Sequence, residues 1–154
     1  MRFKGAVDAI PSLKGKCANG LQALEQSHSA RIGTRTPRYV RGSVALDREL
    51  MSRYPTENRW DYGIGFTVSD MDDRVIWIEV HTANSLHVKP VLEKLRWLRN
   101  WLSDEGKPLS VLEATFVWLS TGRVAIPPKS PEATQLRQER PVLVGQTLDL
   151  DTLP

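Results

Sequence analysis

The fold is decided by two neighbouring stretches, WDYGIGFTV at residues 60–68 and RVIWIEVHT at residues 74–82. Both are rich in β-branched and aromatic residues, which favour β-strands. The segment between them is polar and rich in Asp, which is typical of a turn. The two stretches therefore predict an antiparallel β-hairpin.

The register of this hairpin determines which side chains share a face, because successive side chains of a strand point to opposite faces. Aligning the apolar faces of the two strands leaves Asp61, Glu79 and His81 together on the other face. If the turn centres near Met71, Asp61 lies opposite His81 and diagonal to Glu79. Diagonal neighbours are close enough for two carboxylates to share one ion.

Gly63 and Gly65 lie on the same face as the two acids. Glycines weaken a strand and often mark the close approach of a backbone or a ligand. We therefore expect them to leave open space beside Asp61 and Glu79.

Each of these polar residues also has a purely structural interpretation. A buried carboxylate is costly without a partner, so Glu79 requires a metal ion, a cation such as Arg59, or a helix terminus. Asp61 can equally be an acid at the start of a strand that pairs with Arg59. His81 can be an ordinary hydrogen-bonded strand residue.

The rest of the chain predicts helices and further strands around the hairpin. We expect helices over 21–28, 44–53, 88–102 and 130–138, and strands over 111–119 and 141–145. This order predicts an α/β fold with one mixed β-sheet flanked by helices. Residues 1–42 are interpreted as a basic N-terminal arm with a short helix, 43–145 as the core and 146–154 as a loosely held tail.

Composition narrows the class of protein. The chain has 154 residues, a usual length for one domain, and a single cysteine, Cys17. One cysteine cannot form an intramolecular disulfide, and one cysteine with three histidines does not give the usual spacing of a structural zinc site. With no apolar run of membrane-spanning length and no signal peptide, we expect a cytoplasmic protein without a membrane partner.

Positive charge is concentrated in the first part of the chain. Residues 1–60 carry eleven Lys or Arg against five Asp or Glu, whereas residues 61–154 carry ten against thirteen. The basic part contains Arg31, Arg35, Arg38 and Arg41. Guanidinium groups pair well with phosphate oxygens, so this stretch predicts contact with nucleic acid; a solvated basic loop is the alternative.

The pattern around the hairpin resembles the PD-(D/E)xK nuclease superfamily. That family has an acid on one hairpin strand, then an apolar strand ending in acid-x-lysine, then a helix and further strands. Asp61 and Glu79 match the two acids, and His81 stands at the usual lysine. Lys89, at the start of the next helix, is a candidate substitute cation. The order of predicted elements resembles that of the family over roughly residues 43–120. Of the family's motif residues, only the two acids match.

The resemblance implies a restriction-endonuclease-like core and a metal-dependent endonuclease. Mg²⁺ (or Mn²⁺) would be held by Asp61 and Glu79, and water would attack a phosphodiester with help from His81 or Lys89. Genome defence or DNA processing would then be the biological setting.

Two functions without catalysis are also compatible with the sequence. The chain can be an inactive nuclease-fold module that binds a protein partner in immunity or defence. Trp97 and Trp101, one turn apart beside the apolar stripe of a helix, would form its partner surface. The weaker alternative is an RNA-binding protein that uses the arginine stretch alone.

Overall fold

The computed structural model describes residues 1–139 and 142–154. In chain order the elements are α1 (Phe3–Asp8), α2 (Gln26–Ser29), β1 (Ile32–Gly33), β2 (Val40–Ala45), α3 (Leu46–Glu49), β3 (Tyr62–Thr67), β4 (Asp73–His81), α4 (Ser85–Ser103), α5 (Lys107–Ser110), β5 (Glu113–Ser120), α6 (Pro131–Gln138), β6 (Val142–Gly145) and β7 (Leu148–Asp149).

Five strands form the main sheet, in the spatial order β2-β3-β4-β5-β6. The pairs β2–β3 and β3–β4 are antiparallel, while β4–β5 and β5–β6 are parallel. β1 and β7 form a separate, two-stranded parallel sheet. The predicted class, a mixed sheet flanked by helices, is confirmed.

The two faces of the sheet carry separate clusters of buried side chains. Val75 and Trp77 belong to the cluster under α1, α4 and α5, whereas Ile76 and Ile78 belong to the cluster on the opposite face. That second face is covered by side chains from residues 18–32 and 148–153. The sheet is therefore buried on both sides, and polar groups are found where its strands end.

The predicted hairpin is confirmed, but its register differs from the expected one by two residues. Tyr62 pairs with Ile78 and Gly63 with Trp77, so the turn centres on Asp70 rather than Met71. The turn closes with a hydrogen bond from the Val68 N–H to the Asp72 carbonyl. Continuing the register by one residue places Asp61 directly opposite Glu79 instead of opposite His81.

The predicted helix over 44–53 is wrong. Residues Val40–Ala45 form β2, which pairs with β3, and the helical part that follows is only Leu46–Glu49. Gly42 to Ala45 are all buried, because this strand is covered on both faces. Leu46 and Leu50 have the four-residue spacing of a longer helix. Both are buried in the core, but the helix between them is a single turn.

The chain on either side of the predicted core packs onto the sheet. Residues 1–42, interpreted from the sequence as a basic N-terminal arm, contain α1, whose Phe3 and Val7 are fully buried. Asp73 in the hairpin accepts hydrogen bonds from the Phe3 N–H (2.8 Å) and the Arg2 side chain (3.0 Å), which fixes the start of α1.

The end of the chain, predicted as a loosely held tail, also joins the core. Leu148 and Leu150 are buried, and β7 pairs with β1. β6 lies at the predicted final edge strand, whose first expected residue, Pro141, is outside the described residues.

Within residues 1–139 and 142–154, no helix has both the length and the apolar character needed to cross a membrane.

Candidate functional site

The candidate site lies at one edge of the main sheet, where several elements begin or end. β3 begins at Tyr62, β4 ends at His81, β5 ends at Ser120 and α4 begins at Ser85. β4 and β5 are parallel, so their carboxyl ends meet at this edge. Ligands of α/β proteins commonly bind at such an edge.

The Asp61 backbone contacts the Glu79 side chain, and the Asp61 side chain contacts the backbone of Val80. The Asp61 N–H donates to Glu79 Oε1 at 3.3 Å, and Asp61 Oδ2 accepts from the Val80 N–H at 2.9 Å. Glu79 is fully buried, whereas Asp61 is partly buried. The hairpin register therefore fixes both carboxylates side by side.

Lys94, a residue that the sequence analysis missed, neutralises Glu79. Its Nζ lies 2.6 Å from Glu79 Oε2, and its side chain is 23% exposed. Lys94 is on α4, three residues after Val91 and four before Leu98, both of which are buried. A lysine at the border of an apolar stripe was the available signal, since that position points towards the sheet.

Burial and the neighbouring charges change the acidity of Asp61. Burial and the neighbouring Glu79 carboxylate raise the pKa of Asp61 to about 7, although Lys94 and the Val80 N–H act to lower it. Burial acts to lower the pKa of Lys94, but Glu79 and Asp61 more than compensate, so that pKa is raised. Lys94 therefore stays charged, whereas Asp61 is partly protonated near neutral pH.

His81 lies at the site and contacts a second histidine. Its Nδ1 is 3.6 Å from Glu79 Oε2, and its Nε2 is 2.6 Å from Nδ1 of His87. His87 lies in the first turn of α4 and is partly buried.

Lys89 does not occupy the place predicted for a substitute cation. It is exposed on α4, and within the described residues it makes no ion pair. Lys94, more than one turn further along the same helix, takes that place, because its side chain faces the sheet and that of Lys89 faces solvent.

The space predicted beside the two glycines is filled by aromatic rings. A Cβ added to Gly63 would lie 2.7 Å from the Trp77 ring, and one added to Gly65 would lie 2.3 Å from Phe3. The expectation of a gap next to Asp61 and Glu79 was wrong, because the glycines accommodate a neighbouring strand residue and a helix distant in sequence.

Arg59, the alternative partner considered for both acids, binds elsewhere. Its Nε lies 3.2 Å from Asp47 Oδ1 and 3.1 Å from the Asp47 carbonyl. Among residues 1–139 and 142–154, Asp61 therefore has no arginine partner, and the cation at Glu79 is Lys94.

The four arginines predicted to contact nucleic acid do not form one patch. Arg31 donates to the carbonyls of Ser120 and Thr121 at the candidate edge. Arg35, which is 87% exposed, lies beside Asp151.

Arg38 lies just before β2, and Arg41 is at the end of β2 that is far from the site. Arg38 stacks on the Tyr39 ring, with its guanidinium carbon 4.7 Å from the ring centroid, and Arg41 is exposed. Val40 pairs with Phe66, whereas Ala45 pairs with Tyr62 beside the site. Arg41 is consequently about 13 Å from the candidate edge, measured along the strand.

Trp97 and Trp101 do not form the predicted partner surface. They are 9% and 4% exposed and stack on each other with ring centroids 6.0 Å apart. Their indole N–H groups donate to Glu57 and Glu105. Both are buried because loops on either side of α4 cover them, which the helical spacing alone does not reveal.

Asp61 and Glu79 supply the carboxylate oxygens of this site. Within the described residues, the second carboxylate oxygen of Asp61, Oδ1, has no hydrogen-bond partner, and no group of three or more His, Cys, Asp or Glu is arranged around a common metal position. Lys94 accompanies the two adjoining carboxylates, and the pKa of Asp61 is raised first by burial and then by Glu79. Mg²⁺ is commonly held by one or two carboxylates together with water and substrate phosphate.

Comparisons of this chain with family models, with curated proteins and with solved structures found no match.

Proposed function

We propose that this protein is a Mg²⁺-dependent nuclease that hydrolyses phosphodiesters of nucleic acid, as the resemblance to the PD-(D/E)xK superfamily implies. The observation that carries the proposal is the contact between Asp61, Glu79 and Lys94 at one end of the hairpin. Two acids and a lysine are thereby assembled from a β-hairpin and the helix that follows it.

The order of elements supports the same proposal. The hairpin β3–β4 is followed by α4 and then by β5, which returns parallel to β4. This is the sequence of elements that the resemblance leads one to expect around such a site.

Each residue of the site has a distinct role in this proposal. Asp61 and Glu79 would hold Mg²⁺ (or Mn²⁺), which when bound stabilises negative charge on the phosphate and lowers the pKa of a coordinated water. Lys94 holds Glu79 in place and supplies the positive charge that lysine supplies at the usual motif position. His81 Nδ1 lies 3.6 Å from the same Glu79 oxygen that Lys94 contacts, and His81 is the candidate proton acceptor in this proposal.

The test is a cleavage assay with supercoiled plasmid, single-stranded DNA and RNA, each with Mg²⁺ or Mn²⁺. The wild-type protein should cleave at least one of them, whereas Asp61→Asn and Glu79→Gln should lose activity by at least 100-fold, on the order expected for loss of major charge stabilisation. Asp104→Asn, at an exposed aspartate outside the site, is the matched control.

Two results would contradict the proposal. One is the absence of cleavage of every substrate by the wild-type protein. The other is equal cleavage by the wild type and both site variants, which would indicate a contaminating enzyme. Either would favour a non-catalytic module in which Glu79 and Lys94 form a structural ion pair.

A further inference from the structure

Two crossover connections begin at the edge of the main sheet that carries Asp61 and Glu79. β4 and β5 are parallel, and so are β5 and β6. The chain therefore crosses back to the opposite edge twice, first through α4 and then through α6. The loops that start these crossovers, residues 82–84 and 121–130, are neighbours, since the Ala125 N–H donates to the Ala83 carbonyl at 2.8 Å.

These loops and the residues beside them carry positive charge and no acid. Residues 80–92 and 114–131 include no Asp or Glu, but they include Lys89, Arg123 and Lys129. All three residues are exposed. Within residues 1–139 and 142–154, none of their side chains has an ion-pair or hydrogen-bond partner. Their charges are therefore available to an external anion. We call these three residues the crossover surface.

We infer that the crossover surface binds the phosphate backbone of a nucleic-acid duplex. This inference rests on the proposed nuclease function, because it names the surface that holds the substrate of that enzyme. Lys and Arg side chains that neutralise phosphates supply most of the affinity of proteins that bind nucleic acid without reading its sequence.

The crossover surface lies beside the two acids of the candidate site. Thr82 comes directly after β4, and its hydroxyl is 3.0 Å from that of Thr121, directly after β5. Arg123 is two residues beyond Thr121, so their Cα atoms are within about 7 Å of each other. Lys89 lies in the second turn of α4, and Lys129 comes two residues before α6. A backbone bound here passes next to the end of β4.

The longer of the two loops is held in place by side chains from outside it. Arg31 donates to the carbonyls of Ser120 and Thr121, and Arg137 donates to the Pro128 carbonyl at 3.2 Å. These contacts fix both ends of the segment that contains Arg123 and Lys129. A surface that is ordered before binding loses less entropy when a ligand arrives.

The other side of the same edge has the opposite charge. At the ends of β2 and β3, Glu25, Asp47 and Asp61 line one cleft. A polyanion is repelled there and attracted to the crossover surface. The nucleic acid is therefore expected to lie over the ends of β4 and β5, with the acidic side beyond it.

The side chains of these loops favour a duplex over a single strand. Proteins that bind single strands stack the bases on exposed aromatic rings. The Phe and Trp residues of 80–92 and 114–131 are Phe116 and Trp118, which are buried, and these ranges contain no Tyr. Contacts to phosphates alone are thus available, and they position a nucleic acid without reading its bases.

The experiment measures binding in the absence of metal, so that it does not depend on cleavage. Fluorescence anisotropy follows a labelled DNA duplex, and one of its strands alone, in chelator at several salt concentrations. The variant carries Lys89→Ala, Arg123→Ala and Lys129→Ala together. It should bind the duplex at least tenfold more weakly than the wild type. The slope of log affinity against log salt should become shallower by about 2–3, since each phosphate contact contributes about 0.9.

The matched control carries Lys4→Ala, Arg41→Ala and Lys107→Ala together. These residues are also two lysines and one arginine, they are exposed, and they lie towards the opposite edge of the sheet, near the start of β4, at the far end of β2 and in α5. The control changes the net charge equally, and its affinity should stay within a few-fold of the wild type.

Three results would overturn the inference: no binding of the duplex by the wild type, tighter binding of the single strand, or equal losses in the two triple variants. The nuclease function would still stand if the wild type cleaves with Mg²⁺. Conversely, if the wild type binds the duplex through the crossover surface but cleaves no substrate, the surface is confirmed and the proposed function is wrong.

Discussion

At the scale of the residue, the site contains more acid than its single lysine can neutralise. Lys94 lies 2.6 Å from Glu79, while Asp61 shares the same buried neighbourhood without an ion pair of its own in the described part of the chain. Burial, and then the nearby Glu79 carboxylate, raises the pKa of Asp61.

Removing the lysine should destabilise the fold. Lys94→Met leaves Glu79 buried and unpaired, which we expect to lower the free energy of unfolding by about 2–4 kcal/mol. Lys89→Met, at an exposed lysine of the same helix, should change it little. Urea unfolding at neutral pH measures both values, and equal stability of the two variants would show that the ion pair is not required.

The raised pKa of Asp61 predicts a specific dependence of stability on pH. The folded state binds the Asp61 proton more tightly than the unfolded state does. In the unfolded state the pKa of Asp61 has its ordinary value of 3.8. The stabilisation of the folded state by this proton is fully present below about pH 4. It is lost as the pH rises through about 7, and the loss in the free energy of unfolding is up to roughly 4 kcal/mol.

Asp61→Asn removes this titration. In the presence of a chelator, the variant should gain stability relative to the wild type as the pH rises from 5 to 8. Urea unfolding across this range checks the prediction, and a constant difference between the two proteins would contradict it.

At the scale of the element, β3 depends on two glycines because large rings pack directly on its backbone. A Cβ at Gly65 would lie 2.3 Å from Phe3 in α1. The hairpin and the N-terminal helix are thus packed together at a position where no larger residue fits.

Gly65→Ala should therefore destabilise the protein by about 1–3 kcal/mol, because the Phe3 ring has to move. Gly33→Ala is the control, since Gly33 also lies in a strand and an added Cβ there meets no atom within 4 Å. Thermal unfolding compares them, and an equal loss in both variants would mean that packing against Phe3 is not the cause.

The sequence was sufficient to predict the hairpin, because its two strands have matching apolar faces. It was insufficient for β2, where burial on both faces removes the alternation that identifies a strand. Asp61 and Glu79 were found as the acids at the ends of these strands. Lys94 was missed because its role depends on how α4 lies on the sheet, and this is a tertiary property.

At the scale of the whole molecule, the two ends of the chain complete opposite faces of the sheet. α1 packs on one face, and residues 148–153 pack on the other. Asp151 anchors the second end by accepting hydrogen bonds from the Arg35 N–H (2.6 Å) and from the Thr34 and Thr36 hydroxyls (2.8 Å each). These bonds lower the pKa of Asp151.

Asp151→Ala should lower the midpoint of thermal unfolding at neutral pH. Since the folded-state pKa is lowered, the advantage of the wild type should diminish as the pH falls below the ordinary pKa of Asp and through the lower pKa of Asp151 in the folded protein. Asp104→Ala, at an exposed aspartate, serves as the control. An advantage of the wild type that does not change with pH would contradict this account.

The central claim is that Asp61 and Glu79 together form one site for a divalent cation, and its most direct test is independent of any substrate. Electron paramagnetic resonance can follow the binding of Mn²⁺ to the wild type, Asp61→Asn, Glu79→Gln and Asp104→Asn. We predict one bound ion per chain in the wild type and in Asp104→Asn, and its loss in both site variants. Failure of the wild type to bind Mn²⁺, or unchanged binding in Asp61→Asn and Glu79→Gln, would contradict the claim.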